Sequence, residues 1–106
     1  MRNCTPHDIV IFGATGGVIV TLKPSGDVAR VEQTLVQVGE CDGIPIYRRR
    51  FGDLVGLPEP VDGVWFVVSA LVAQAAPQRG DLLSPGELIR NTAGQPIGCR
   101  GLIRHG

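Results

Sequence analysis

A chain of 106 residues has room for one domain with one hydrophobic core, and none for a deep pocket enclosed within it. Ten basic residues balance ten acidic ones, so the positive field that non-specific nucleic-acid binding needs is missing and no such binding is expected. Nine of the ten bases are Arg, which suits bidentate contact with carboxylate or phosphate but also follows from a GC-rich coding sequence.

Fifteen glycines and eight prolines, spread evenly, predict frequent turns between short strands. In chain order the β-branched runs between these breakers predict strands at Ile9–Phe12, Val18–Leu22, Val28–Val38, Ile44–Arg50, Val64–Val68 and Ile97–Ile103. After Ser69, the residues Ala70, Leu71, Ala73, Ala75 and Ala76 predict one or two helical turns, with Ser69 as the cap and Pro77 as the stop. Gly52–Gly63, with Pro58 and Pro60, reads as a loop or irregular arm. Arg79–Thr92 reads as a second irregular arm turning at Pro85–Gly86. The predicted fold is α+β: a compact, β-rich single domain, residues 1–106, with hairpins and one or two short helices.

Cys4, Cys41 and Cys99 form no Cys-x-x-Cys pair and leave one over in any disulfide scheme. With no apolar signal region near Met1, this predicts a reduced, cytoplasmic setting. The longest apolar run, Val64–Val68 continuing into Ala70–Ala73, is interrupted by Ser69 and ends at Gln74, too short to span a bilayer. No membrane association is expected.

Three chemical motifs invite a reading. Ile9–Gly17 has the letters of a strand and glycine turn that open a dinucleotide-binding fold. That chemistry needs a helix next, so that its first amides meet the pyrophosphate, whereas the chain continues Val18-Ile19-Val20-Thr21-Leu22 and reaches Pro24. A β-hairpin turn accounts for the same glycines, and no cofactor is predicted. Cys4 and His7, with Cys41, Cys99 and His105, are metal-ligating types, but nothing pairs the distant ones by short spacing, and no metal site is predicted. Ser69 with His7 and Asp8 or Asp81 lacks the glycine-flanked nucleophile elbow, so no catalytic residue is assigned.

Arg48-Arg49-Arg50 reads as a solvated strand end. Alternation puts Arg48 and Arg50 on the face of Ile44 and Ile46, with Arg49 on the face of Tyr47. The remaining candidates are polar residues at turn and cap positions. Asn3, Thr5 and His7 project to one side of an extended opening. Ser25-Gly26 sits in a turn that offers backbone amides, and Ser69 begins a helix. Arg30, Arg79 and Arg90 offer bidentate charge. Turn chemistry, a cap and surface ion pairs explain the same residues.

The opening Asn3-Cys4-Thr5-Pro6-His7 resembles that of a family of short, functionally uncharacterised phage and prophage proteins, which begin Asn-Leu-Thr-Pro-His. Further strings in common are Pro24-Ser25-Gly26, Val28-Ala29-Arg30-Val31 and Gly56-Leu57-Pro58. The most distinctive is Val68-Ser69-Ala70-Leu71-Val72-Ala73-Gln74-Ala75, with Arg79 and Asp81 after it. Pro85-Gly86, Arg90 and Ile97-Gly98-Cys99-Arg100-Gly101-Leu102 extend the resemblance over nearly the whole chain. Cys4 replaces the family's Leu, which weakens a metal reading of that cysteine.

The resemblance implies a phage setting, where small proteins serve as structural accessories, takeover factors or sponges for nucleotide signals of bacterial immunity. The first expectation is therefore a protein that binds and sequesters a small anionic ligand, such as a cyclic dinucleotide or an ADP-ribose derivative. Its site would comprise Asn3, Thr5, His7, Ser25, Gly26, Arg30, Ser69, Arg79, Asp81 and Arg90, most naturally at a homo-oligomer interface. The alternative is a virion or assembly accessory that binds other proteins, suggested by the two irregular arms and the balanced charge. A nucleotide-directed hydrolase or transferase stands third.

Overall fold

The computed structural model describes residues 1–105. Two sheets account for most of them. Six strands, β1 (Arg2–Asn3), β2 (Ile9–Phe12), β3 (Val18–Leu22), β6 (Phe66–Val67), β7 (Leu82–Arg90) and β8 (Pro96–Arg104), form one sheet in the order β1-β6-β7-β8-β2-β3. The other two, β4 (Arg30–Cys41) and β5 (Ile44–Val55), pair only with each other. One short helix, α1 (Ala70–Ala75), follows β6. Strand outweighs helix, 53% to 6%, so the β-rich expectation holds while the helical part of the α+β label rests on this one helix.

The six-stranded sheet curls until its two edges meet. Beyond β3 the chain forms a single parallel bridge between Pro24 and Asn3 of β1, and the Ser25 amide donates to the Asn3 carbonyl at 2.8 Å. Ile9, Ile11, Val67 and Cys99, with Leu22, Leu83 and Leu102, make one apolar cluster drawn from β2, β3, β6, β7 and β8. These are the side chains that fill the inside of the curl. Cys99 and Leu102 lie three residues apart and would face opposite ways in a regular strand. Gly101, at φ 63°, breaks the alternation between them and brings both into the cluster.

A second cluster lies under the helix. Phe66, Val68 and Leu82 pack with Cys4, Ala29 and the helix side of Val72, Ala73 and Ala76. Ser69 caps α1 as predicted, its hydroxyl accepting from the Val72 amide at 3.3 Å.

The predicted hairpin at the glycine-rich segment is present. Gly13 N–H donates to Gly17 O at 2.8 Å, Gly16 takes φ 91°, and β2 runs antiparallel to β3. Two expectations fail. Arg79–Thr92 is not an irregular arm, because Leu82–Arg90 is β7, paired antiparallel with β8 through Pro85↔Leu102 and Glu87↔Arg100. Pro85-Gly86 is therefore no turn. A Cβ on Gly86 would stand 2.2 Å from Arg100 O, so glycine permits close contact between β7 and β8. The loop predicted from Gly52 begins later, since β5 continues to Val55 and Gly52 is tolerated within it.

The chain as a whole is also less compact than predicted. Its radius of gyration is 16.2 Å, against about 13 Å for a globular domain of 100 residues. The excess comes from β4 and β5, a hairpin of two twelve-residue strands, about 40 Å long by strand rise. Asp42 and Gly43 turn it, both with positive φ (52° and 77°), as a two-residue hairpin turn requires. Only its base joins the core: Val31 and Leu54 pack against the helix-side cluster.

Candidate interaction surface

The predicted site residues divide among separate places, and most are occupied in holding the chain. Asn3 is 2% exposed and uses both ends of its amide. Nδ2 donates to the carbonyls of His7 (2.8 Å) and Leu22 (3.0 Å), while Oδ1 accepts from the Thr5 amide (3.0 Å) and hydroxyl (2.6 Å). Ser25 Oγ donates to Asn3 O at 2.9 Å, and Gly26 supplies φ 103° to the turn behind it. This is turn chemistry that closes the curled sheet.

Arg79 and Asp81 pair through two parallel bonds of 2.8 Å, with Arg79 stacked over the Phe66 ring at 5.8 Å. The Arg79 hydrogen bonds, opposed by burial, hold the Asp81 carboxyl below its ordinary range, and the same bonds raise the guanidinium pKa. Arg90 sits at the far end of β7 from Asp81, about 30 Å away by strand rise, where it donates to Gly94 O at 2.8 Å and steadies the β7–β8 turn. The ten candidates therefore do not converge.

Three of them do meet. Thr5, Arg30 and Ser69 line an open groove of about 340 Å³ with Pro6, Val28, Leu71 and Val72, at the base of the hairpin. Among the described residues the Arg30 side chain makes no hydrogen bond or ion pair, so its guanidinium is the free charge of this groove. His7 lies elsewhere, in a mostly apolar hollow of about 490 Å³ with Ile9, Pro85, Leu88 and Ile97.

The Ser–His contact that exists is not the one considered from sequence. Ser84 Oγ lies 2.7 Å from His105 Nε2, but Ser84 is 1% exposed and its hydroxyl is closed to a substrate. Cys4 and Cys99 are buried and Cys41 is exposed at the hairpin tip. Burial raises the Cys4 thiol pKa above its ordinary value, which keeps it protonated. Among the described residues no group of three His, Cys, Asp or Glu could hold a metal ion. Among the described residues no helix is long and apolar enough to cross a membrane.

The largest unexplained surface is the hairpin arm. Leu35, Val38, Ile44, Ile46 and Tyr47 are all exposed, Leu35 and Ile44 by more than 60%. Cross-strand pairs sort them onto two faces: Gln33, Leu35 and Gln37 with Tyr47, Arg49 and Phe51 on one, Thr34 and Val36 with Arg48 and Arg50 on the other. The alternation predicted for the Arg run is correct, but the run sits in the middle of β5 and not at a strand end. Val36, Val38, Phe51 and the three arginines border a shallow hollow of about 560 Å³. Among the described residues none of Arg48, Arg49, Arg50, Glu32 or Glu40 forms an ion pair. The sequence signal for this arm was Asp42-Gly43 between two β-branched runs.

No protein-family model matches this chain, and neither does any curated protein or solved structure.

Proposed function

We propose that this protein is an assembly accessory that docks on protein surfaces through the β4–β5 arm. The observation that carries the reading is the arm itself: a ribbon of two twelve-residue strands with exposed apolar side chains on both faces and, among the described residues, no strand beside either edge. A lone two-stranded ribbon is marginal in water and gains stability when further strands or a packed face cover it. Long open edges are otherwise a liability. The phage resemblance supplies the setting, a virion or its assembly intermediates.

The test compares particles from an induced lysogen carrying either the wild-type gene or one in which residues 35–49 are replaced by a two-residue turn. The wild-type chain should co-purify with particles or intermediates and the shortened chain should not. Equal incorporation of both, or absence of both, would remove this reading.

The groove of Thr5, Arg30 and Ser69 supports a second reading, capture of a small anionic ligand such as a nucleotide signal. Arg30 is its free charge, and the groove is open, which suits a site completed by another subunit. A selective thermal shift with one cyclic dinucleotide or ADP-ribose derivative, lost in Arg30→Ala, is the expected result. At a hundredfold excess over Kd the ligand would stabilise the fold by about 2.7 kcal/mol. No shift across such a panel would overturn it.

A further inference from the structure

We propose that the arm's partner is a second copy of this chain, joined head to tail, with the β4 edge of one copy antiparallel to the β5 edge of the next. The inference rests on the arm being a docking element and names what it docks.

Charge decides between the ways two arms can meet. The middle of β5 carries Arg48, Arg49 and Arg50, whereas the acidic residues of β4 are Glu32 and Glu40. A symmetric β5–β5 pairing about the arm's middle sets the three arginines against their own copies, which costs stability. A symmetric β4–β4 pairing centred on Val36 sets Glu32 against Glu40. Centred on Leu35 it sets Arg30 against Glu40, but it leaves both β5 edges open with their arginines and Tyr47. Only the heterologous contact covers both edges of each copy.

The sequence also selects a register. Within one arm Thr34 faces Arg50, Leu35 faces Arg49 and Val36 faces Arg48. Sliding the neighbouring copy by two residues sets Glu32 against the partner's Arg50, Leu35 against the partner's Tyr47 and Val36 against the partner's Ile46. An even slide keeps every pair on a common face. Backbone direction agrees: counting from the two-residue turn, alternation points the outer N–H and C=O groups of Tyr47 and Arg49 away from β4, towards the partner. A constant stagger between strands is what closing a sheet into a ring requires. Heterologous contacts of this kind give rings when the rotation closes and filaments when it does not.

The test is the mass of the full chain in solution, by sedimentation, for wild type, Glu32→Arg, Arg50→Glu and an equal mixture of the two variants. Wild type should form a species larger than a dimer, and each single variant should shift towards monomer. The mixture should recover the large species, because each variant then meets an opposite charge on its neighbour at both edges. Recovery on mixing requires a contact between copies, which an ion pair within one arm would not give. An unaltered mass for Arg50→Glu, or a wild-type dimer, would overturn head-to-tail pairing in favour of a symmetric β4 contact. Should either variant unfold, hydrogen exchange of wild-type arm amides at rising concentration replaces it, with protection expected on both strands. A folded wild-type monomer with an unprotected arm at every concentration would overturn the proposal. Docking on a different protein would then still be decided by the particle comparison.

Discussion

Asn3 and Ser25 join the two edges of the curled sheet: the Ser25 amide and hydroxyl both donate to the Asn3 carbonyl, at 2.8 and 2.9 Å. The Asn3 side chain meanwhile bonds to Thr5, His7 and Leu22. Replacing it with Ala leaves the Leu22 carbonyl and the Thr5 amide without their Asn3 partner, while the His7 carbonyl keeps the Thr5 hydroxyl at 3.1 Å. Asn3→Ala should therefore lose about 3 kcal/mol, since each of these two part-buried groups left unpaired costs roughly 1–3. A fall in Tm of about 10 °C or more is expected for a domain of this size. A thermal melt checks it, and a shift of one or two degrees would mean that the closure is not built on Asn3.

Gly86 and Arg100 approach closely across β7 and β8, with only 2.2 Å between an added Cβ and the Arg100 oxygen. Gly86→Ala has to push the strands apart, at a cost of roughly 1–3 kcal/mol by analogy with overpacked cores. Gly80→Ala is the control, because nothing lies within 4 Å of its added Cβ. Chemical denaturation of the two variants should separate them clearly.

Much of the body was legible in the sequence because its strands are bounded by unambiguous breakers. Gly13–Gly17 gave the hairpin, and Ser69 before an alanine-rich run with Pro77 after it gave the helix. The misread places are those where a breaker residue lies inside a strand. Pro85-Gly86 reads locally as a turn, and only the close approach of Arg100, far along the chain, explains the glycine. Gly52 likewise stopped the predicted strand short, although β5 runs through it to Val55. The candidate site was less legible for a different reason. Asn, Ser, Thr and Arg satisfy backbone groups and carboxylates with the same atoms that would hold a ligand, so Asn3, Ser25, Arg79 and Arg90 look alike in either role. Only the partner groups in space distinguish the two.

The Arg79–Asp81 pair predicts an acid limb of stability. Asp81 has an ordinary pKa of 3.8, and in the folded chain it lies lower because Arg79 hydrogen-bonds its charged form. A carboxyl with a depressed folded pKa contributes stability that is present above its unfolded value and is lost as pH falls through the folded one. Wild-type stability should thus decline from about pH 4 downwards. Asp81→Asn should start lower at neutral pH and decline less steeply. Denaturation midpoints from pH 2 to 7 check this, and parallel curves for the two proteins would refute it.

The three cysteines should differ in reactivity. Cys41 is exposed beside the hairpin turn, whereas Cys4 and Cys99 are buried and burial holds the Cys4 thiol protonated. A thiol-alkylating reagent should label one site quickly in the folded chain and three after denaturation, since the thiolate is the reacting form. Mass mapping identifies the fast site. Rapid labelling of Cys4 would contradict the packing of the helix-side cluster.

Shortening the arm tests whether body and arm are separable in stability. The two core clusters draw only Val31 and Leu54 from β4 and β5, both at the arm's base. Removing residues 35–49 and joining Thr34 to Arg50 through a two-residue turn keeps a pair of the same hydrogen-bonded kind that flanks the natural turn. The shortened chain should fold with a Tm within a few degrees of wild type, while losing the exposed apolar surface of Leu35, Ile44, Ile46 and Tyr47. Its solubility should rise, because uncovered apolar ribbon with open edges invites aggregation. If the shortened body instead failed to fold, the arm would be part of the structural core, and its exposed side chains could not be read as a surface kept for a partner.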